Sequence, residues 1–369
     1  MKWLSQFKTK ILYILGAAVL AVGFPYFFSH WTGFRSLYIR EAYPGLSHLL
    51  RLLTGWCPFS LGDLLYVAAG AWLLIGGFSF VRQLIWIRRH PFGVWTRILR
   101  FVLLLFVIYD IFLLLWGLNY RYNRLYAAFG ISQAPYSVAE LGRLCDTLVD
   151  RVNRQHMLLA GNDTAAVAQS PAYGTIKKQA IADYKRMAQS NAHFRYAPAS
   201  VKPSMFGYLM NYAGVTGYYN PFTGEAQINT TPPAVALPFT TCHEMAHQLG
   251  YAAEDDANFI SYMVTASSDD LYFRYSANFS LLLYALNQLS FKQPRQADSL
   301  WNKQLSVGVR QDYTAYFAFY EKFRTRFKPL LDQAYDQYLK ANEQAEGIRS
   351  YRGVVALLLS YIRRYGHLP

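Results

Sequence analysis

The stretch His243-Glu244-Met245-Ala246-His247 places two imidazoles and a carboxylate within five consecutive residues. Residues four apart lie on the same face of a helix, so His243 and His247 can bind one ion while Glu244 lies beside them. Zinc takes such ligands, and the carboxylate can accept a proton from the water that the ion activates. The pattern therefore predicts a zinc hydrolase site with Glu244 as catalytic base. A structural alternative is that Thr241 is a helix N-cap and Glu244 completes its capping box, without any chemistry.

A catalytic zinc site commonly has three protein ligands and one open position, so one ligand must come from outside this helix. Gly250 can end the helix in a left-handed conformation, and acidic residues follow soon after it. We expect Glu254 to be the third ligand, with Asp256 and then Asp255 as alternatives. The non-catalytic interpretation of this acidic cluster is a solvated helix start, where carboxylates are favoured by the helix dipole.

The run Glu254-Asp255-Asp256-Ala257-Asn258 resembles the E-x-x-A-D segment of integral-membrane zinc endopeptidases and, more loosely, the second glutamate helix of thermolysin-like enzymes. The resemblance implies that Glu254 binds zinc and that Asn258 orients a histidine ligand. The chain departs from the pattern in two ways. Asn258 replaces an aspartate, and the spacing from His247 is shorter than in thermolysin-like enzymes.

Most of the chain resembles an uncharacterised family of bacterial multipass membrane proteins with a zincin-like C-terminal domain. The segments that carry the resemblance are GYYNPFTGE at 217–225, LPF at 237–239 and YLKAN at 338–342. In zincins, an edge strand above the metal helix pairs with extended substrate backbone. By this resemblance the candidate edge strand is 225–229, and an ordinary core hairpin is the alternative.

Three apolar stretches near residues 11–28, 61–81 and 99–118 precede this region. Each is about long enough for the roughly 20 helical residues that cross a bilayer. The first is expected to be a retained anchor rather than a cleaved signal peptide, because Phe24-Pro25-Tyr26-Phe27-Phe28 at its end is a poor small-residue cleavage site. We therefore predict a membrane-anchored, mainly α (α+β) chain: a transmembrane region over 1–120, followed by a zincin-like domain with a small sheet over 121–369.

Basic residues near the ends of these stretches predict the orientation of the chain in the membrane. The residues expected in the cytoplasm are Lys2, Lys8 and Lys10 before the first span and Arg82, Arg88, Arg89, Arg97 and Arg100 around the connection between the second and third spans. The connection between the first and second spans carries only Arg35, Arg40 and Arg51. We therefore predict a multipass protein of the cell (inner) membrane, with its C-terminal domain on the extracytoplasmic, periplasmic side.

The formal net charge of +14 is partly explained by residues beside the spans, where positive charge sets topology and attracts anionic lipid. We therefore expect the lipid bilayer as a partner and no nucleic acid. Three cysteines cannot form a closed set of disulfides, and Cys242 should point away from His243 into the core.

The predicted activity is zinc-dependent hydrolysis, with a peptide bond as the target and a peptide or protein as the substrate. Candidate donors to the oxyanion of the transition state are Tyr218, Tyr219, Arg274 and Tyr275. The alternative function is a catalytically silent zincin-fold membrane scaffold or binding protein, although an intact Glu244 argues against it. A transporter that uses Asp110 within the third span is a further alternative.

Patterns in the outer domain predict several elements. Ser137 and Glu140 form a capping box before an amphipathic helix, and a second helix covers about 174–190. The tract from 205 to 229 indicates two short strands around a turn at 220–224. The apolar run 279–289 is too short to cross a bilayer and predicts a buried helix, and Pro329 should begin or kink another.

Overall fold

Helices account for most of the residues that the computed structural model describes, which are 2–85, 91–167, 170–325, 328–341 and 353–369. The helices are α1 (Lys2–His30), α2 (Thr32–Leu37), α3 (Tyr43–Gly55), α4 (Leu61–Ile85), α5 (Pro91–Leu115), α6 (Arg124–Phe129), α7 (Val138–Ala160), α8 (Tyr173–Ser190), α9 (Gly207–Ala213), α10 (Leu237–Gln248), α11 (Glu254–Ala266), α12 (Leu271–Lys292), α13 (Pro294–Ser299), α14 (Val307–Glu321), α15 (Lys328–Ala341) and α16 (Gly353–Tyr365). The strands are β1 (Val201–Pro203), β2 (Gly217–Asn220) and β3 (Glu225–Ile228).

Three of these helices are long and apolar enough to cross a membrane, over Phe7–His30, Leu61–Ile85 and Phe92–Leu115. Their side chains remain largely exposed in the folded chain, as expected of helices that bury their surface in lipid. The prediction of three apolar N-terminal helices is confirmed. The third span begins earlier than predicted, at Phe92. It also ends earlier, because the backbone leaves the helical conformation at Trp116 and continues as a 3₁₀ turn. Arg88, Arg89 and Asn342 lie outside the described residues.

The connection between the first two spans was expected to be a simple loop, and it contains α3 instead. One face of α3 carries Tyr43, Ser47, Arg51 and Thr54, which are buried against the globular part of the chain. Their spacing of four, four and three residues is that of one helical face. This polar periodicity was the available sign of the helix in the sequence.

Several predicted elements of the globular part are confirmed. The Ser137 hydroxyl caps α7 and Glu140 completes the capping box, while the apolar face of α7 is buried in the core. Helix α8 begins within one residue of the predicted start, and α12 contains the predicted buried run. Pro329 occupies the first turn of α15, where its missing N–H costs no hydrogen bond.

The sheet has the order β1-β3-β2, with β1 parallel and β2 antiparallel to β3. The predicted hairpin is present, and Gly224 in its turn has the positive φ of 68° that favours glycine. The part of the tract before it folds as α9 rather than as a strand. The prediction that 225–229 forms an edge strand was wrong. This segment contains β3, the central strand, and β2 lies at an edge of the sheet.

Helix α10 lies inside this fold and contacts α8, α11, α12 and the sheet. Its apolar residues Phe239, Cys242, Met245 and Ala246 belong to the main hydrophobic core. Almost all of the surface of α10 is buried. Close packing therefore holds the polar side chains of α10 in fixed positions.

Candidate functional site

The two histidines of the motif occupy one face of α10. The helix begins at Leu237 with Pro238 in its first turn, and its N-cap side chain makes no capping hydrogen bond. Thr241 is therefore inside the helix, so the capping-box interpretation of Glu244 was wrong. The His243 and His247 rings lie 4.7 Å apart between centroids and nearly perpendicular, at 89°.

A tight turn joins α10 to α11. The Gly250 N–H donates to the His247 carbonyl at 2.8 Å, and the backbone at Gly250 has a φ of +90°. A Cβ there would lie 2.7 Å from atoms of Arg124 and Tyr43. The absence of a side chain thus allows the chain to reverse closely enough for Glu254, the first residue of α11, to return to the histidines.

Glu254 lies beside both imidazoles. Its Oε2 is 3.2 Å from His243 Nε2, and its Oε1 is 3.8 Å from His247 Nε2. One ligand atom from each of these three buried residues falls within 4.8 Å of the other two, so the group could hold a metal ion. Asp255 instead accepts a hydrogen bond from Gln133 at 2.7 Å. Among the described residues, the cluster includes Glu254 and neither aspartate.

Backbone and side-chain contacts orient the two rings. His247 Nδ1 lies 2.7 Å from the Tyr251 carbonyl, which favours a proton on that nitrogen and leaves Nε2 facing Glu254. Asn258, one turn after Glu254, is among the groups that raise the pKa of His243. His243 Nδ1 and Asn258 Nδ2 have no hydrogen-bond partner among the described residues, so the orienting role of Asn258 stays a prediction.

Glu244 is buried beside the cluster, and its Oε2 has no hydrogen-bond partner among the residues that the structure describes. Burial raises the pKa of Glu244 to about 8, while the neighbouring His243 lowers it and Glu254 raises it. On the other side, strand β2 passes so closely that a Cβ at Gly217 would lie 2.7 Å from Glu244 Oε1. A glycine at the start of β2 gives this carboxylate its space.

The two histidines have different electrostatic surroundings. Burial, followed by the charge of His243, lowers the pKa of His247 to about 4. Burial also acts to lower the pKa of His243, but the hydrogen bond and charge of Glu254, together with Glu244, outweigh it and raise the pKa. His247 is therefore neutral near pH 7, the form in which an imidazole binds metal.

A small cavity of about 80 Å³ adjoins the cluster. Its walls include His243 and Glu254 on one side and side chains of α12 and α14 on the other, among them Phe279, Tyr284 and Tyr316. A cavity of this size has room for water beside the ligand atoms. Its walls combine polar side chains with apolar and aromatic ones.

Residues of the N-terminal region also contact the site. The Trp116 ring, directly after α5, meets the His247 ring edge to face with centroids 5.8 Å apart. The Tyr43 hydroxyl is 3.2 Å from each of the His247 and Gln248 carbonyls, and the Ser47 hydroxyl donates to Gln248 at 2.7 Å. Helix α3 thereby satisfies carbonyls at the end of α10 that have no partner within the helix.

Three of the four predicted transition-state donors are engaged elsewhere. The Tyr218 hydroxyl donates to Asp63, and the Tyr275 hydroxyl donates to Asp312 at 2.6 Å. Arg274 donates to the Ser268 and Asp269 carbonyls, just before its own helix. The Tyr219 ring packs 4.6 Å from Trp116, and its buried hydroxyl has no hydrogen-bond partner among the described residues. Tyr284 lines the cavity and interacts electrostatically with Glu254.

Sequence reasoning missed Trp116, Tyr43, Gly217 and Tyr284. Trp116 and Tyr43 precede the motif by more than a hundred residues, and no local spacing links them to it. Of these four residues, only Gly217 could have been noticed in the sequence, because it begins a segment that carries the family resemblance. Cys242 is buried in the core as expected, and all three cysteines are free thiols.

Comparison with known proteins places the chain in a family. No curated protein and no solved structure matches it. A family described as "Protein of unknown function (DUF3810)" matches residues 38–359. The matched region starts just before α3 and includes the second and third apolar helices as well as the globular part. The chain is a member of the DUF3810 family of proteins of unknown function.

Proposed function

We propose that this chain is a membrane-bound zinc hydrolase with a zincin-like globular domain, and that it cleaves peptide bonds. The observation that carries the proposal is the convergence of His243, His247 and Glu254 beside the buried carboxylate of Glu244. Three nitrogen and oxygen ligands with an adjacent base are the donor set of a catalytic zinc site, whereas a structural site is usually closed by four protein ligands.

One of the separations within the cluster matches that expected for zinc ligands. Donors bound at about 2.0–2.1 Å to one tetrahedral ion are separated by about 3.3 Å. Glu254 Oε2 lies 3.2 Å from His243 Nε2, and the three ligand atoms all lie within 4.8 Å of one another, so the set would close in around an ion. The ligand nitrogen of His247 is already directed by the Tyr251 carbonyl, so little rearrangement is required of this residue.

Bound zinc would supply a Lewis acid that polarises a carbonyl and acidifies water. The chain supplies the remaining parts of the reaction. Glu244, whose carboxyl would ionise beside the positive charge of the bound ion, would take a proton from the attacking water and pass it to the leaving nitrogen as the C–N bond breaks. Tyr284, in the cavity wall with Glu254, would donate a hydrogen bond to the carbonyl oxygen as negative charge develops on it.

A peptide is the favoured substrate because, within the part of the chain that the structure describes, the edge of β2 next to Glu244 pairs with no other strand. Thr216 and Asn220 both accept backbone hydrogen bonds from the β3 side of the hairpin, at 2.9 and 2.8 Å. Alternation along an antiparallel strand then directs the N–H and C=O groups of Gly217 and Tyr219 to the opposite edge. An extended peptide could pair with these groups and pass the base.

The first experiment tests zinc binding in the full-length chain, reconstituted in lipid nanodiscs and stripped of metal with a chelator. We expect one zinc ion per chain by elemental analysis and a higher unfolding temperature when zinc is restored. His243→Ala and Glu254→Ala should lower zinc affinity by at least about tenfold, as for loss of a ligand. The matched control is His193→Ala, which removes an exposed histidine.

The second experiment tests catalysis with a broad peptide library. We expect cleavage that requires zinc and falls by about 100- to 10,000-fold in Glu244→Gln, because the variant cannot accept the proton. Zinc stoichiometry should not change in this variant, and the exposed Glu321→Gln should behave like the parent. Zinc binding without turnover under these conditions would favour the scaffold function instead.

Placement of the globular domain outside the cytoplasm, in the cell (inner) membrane, is part of the proposal. Lys8 and Lys10 near the start of α1 and Arg82 near the end of α4 lie at the end of the spans away from the globular part, where positive charge favours the cytoplasm. Alkaline phosphatase fused after Pro369 should be active, and the same enzyme fused after Ile85 should be inactive. The reverse pattern would place the domain in the cytoplasm.

A further inference from the structure

Helix α3 buries its polar face and exposes its apolar face, whereas an ordinary surface helix does the reverse. Its polar residues are the buried ones: Ser47 donates to Gln248, Arg51 donates to the Pro198 carbonyl at 3.1 Å, and the Thr54 hydroxyl is 2.7 Å from that of Ser200. Three of its five leucines face outward. The exposed apolar side chains on and just after α3 are Leu49, Leu52, Leu53, Trp56 and Phe59, each about half exposed or more.

We propose that this outward face of α3 lies in the bilayer leaflet adjacent to the globular domain, and that the candidate metal site consequently acts on peptides held at the membrane surface. The second half of this inference rests on the proposed function. The first half rests on packing alone, because an apolar face of this size in water would be unfavourable.

Continuity with the spans identifies lipid as the occupant of this face. Five residues separate the end of α3 from Leu61, the first residue of α4. Trp31 and Trp56, both more than half exposed, lie at the same end of α1 and α4, respectively. Tryptophans at one end of successive spans are typical of the interface between hydrocarbon and water. Helix α3 therefore starts and ends at headgroup depth, where an amphipathic helix lies parallel to the membrane.

The candidate metal site lies directly behind this helix. The polar side of α3 contacts the carbonyls of His247 and Gln248. Its exposed leucines are on the opposite side. A helix with its side chains is about 10–12 Å across, so little more than one helix diameter separates the end of α10 from lipid. A substrate bond must come equally close to the bilayer, which favours the membrane-proximal segment of an anchored or lipid-linked polypeptide.

A spin label at Leu53→Cys tests the position of α3 independently of any activity. The native cysteines are buried, so labelling of exposed thiols is selective. We expect the ratio of collisions with oxygen to collisions with a water-soluble nickel complex to exceed that of Leu158→Cys on α7 several-fold, and to be lower than that of Leu74→Cys in the middle of α4, because α3 lies nearer the headgroups. All three leucines are more than half exposed. A label at Leu49→Cys provides a second reading if Leu53→Cys fails to fold.

Two results would overturn the lipid assignment. A ratio at Leu53 equal to that at Leu158 would mean that α3 faces water. Low collision with both reagents in the nanodisc would mean that protein, such as a second copy of this chain, covers the face.

Peptides linked to a phospholipid test the substrate class. We take one peptide cleaved by the parent protein and join it to lipid through a short or a long hydrophilic spacer, at equal surface density. The short-spacer peptide should be cleaved faster than the long-spacer one, and about 100-fold or more faster than the free peptide, because the tether raises its effective concentration. Equal rates for all three would overturn surface selection. Absence of cleavage in all three, with zinc bound, would refute the hydrolase proposal and leave the spin-label result intact.

Discussion

At the scale of single residues, Gly217 controls the space available to the proposed base. A Cβ at this position would lie 2.7 Å from Glu244 Oε1 and 3.0 Å from the Gln227 carbonyl oxygen, so both the side chain and the strand would have to shift. We expect Gly217→Ala to lower stability by about 1–3 kcal/mol through overpacking. Turnover should fall by roughly 100-fold, since a displacement of about 1 Å is enough to do so.

Gly174→Ala is the matched control, because a Cβ there would meet nothing within 4 Å. Peptide cleavage and thermal unfolding of both variants check the prediction. A Gly217→Ala protein that cleaves like the parent would show that the contact with Glu244 does not limit the base.

Tyr284 carries the prediction about transition-state stabilisation. Tyr284→Phe removes only the hydroxyl, so we expect turnover to fall by about 100-fold while zinc stoichiometry remains the same. Tyr212→Phe on α9 is the control, because Tyr212 is not among the residues that line the cavity and its hydroxyl lies 3.5 Å from that of Tyr208, on the same helix. A loss confined to KM, with kcat unchanged, would indicate a binding role instead.

The residues of the site differ in how far the sequence could predict them. The two histidines and Glu244 share one helix, so the spacing of the motif relates them without knowledge of the fold. Glu254 required one further step, the turn at Gly250. Trp116, Tyr43 and Tyr284 reach the site only through packing between distant segments, for which a single sequence has no local pattern. The role of each residue in metal binding or catalysis stays a prediction.

At the scale of elements, a buried carboxylate joins the sheet to the second apolar helix. Glu225 of β3 accepts hydrogen bonds from the Leu61 and Gly62 N–H groups at the start of α4, at 3.1 and 2.5 Å. Lys202 of β1 lies 3.7 Å from the same carboxylate and donates to the Thr54 carbonyl at 2.7 Å. A negative charge at a helix N-terminus is favourable, and the lysine balances it in the interior.

We expect Glu225→Gln and Lys202→Met each to destabilise the protein by about 3–5 kcal/mol, because each leaves the other charge buried without its partner. The double variant should lose less than the sum of the two. The matched surface pair is Lys328 and Asp332, 2.9 Å apart and partly exposed, where removal of either residue should cost less than about 1 kcal/mol. Equilibrium unfolding in detergent measures these differences, and full additivity at the buried pair would contradict the proposed coupling.

Helices with a strong local pattern were predictable, and elements defined by their neighbours were not. The capping box before α7 and the apolar run in α12 carry their own evidence in the sequence. Helix α3 was missed because its outward leucines resemble neither a span nor an ordinary surface helix. The order of the strands was also out of reach, since β1 pairs with β3 across more than twenty residues and has only three residues of its own.

At the scale of the whole molecule, the N-terminal region is part of the folded unit and not only an anchor. Tyr43, Ser47 and Arg51 of α3 fill polar positions on the globular part, and Trp116 packs on His247. The family match likewise begins at residue 38 rather than at the start of the globular part. The boundary predicted at residue 120 separates segments that share buried contacts.

We therefore expect a fragment of residues 121–369 to be unstable in isolation. Without α3, the carbonyls at the end of α10 and the apolar surface around His247 become exposed, and burial of both contributes to folding. Size-exclusion chromatography should show aggregation of this fragment, whereas a chain that starts at residue 31 and is purified in detergent should remain monodisperse. A soluble, cooperatively unfolding 121–369 fragment would contradict this expectation.

The contact between Trp116 and His247 gives bilayer thickness a route to the chemistry of the site. A span that is longer or shorter than the surrounding hydrocarbon adjusts by tilting, and Trp116 is attached to the end of such a span. Tilt of α5 would carry the indole along the histidine ring that it now supports edge to face. We therefore expect zinc affinity in nanodiscs to vary with acyl chain length in the parent protein and to vary less in Trp116→Ala. In this protein, hydrophobic mismatch would then act on a metal ligand through one aromatic contact.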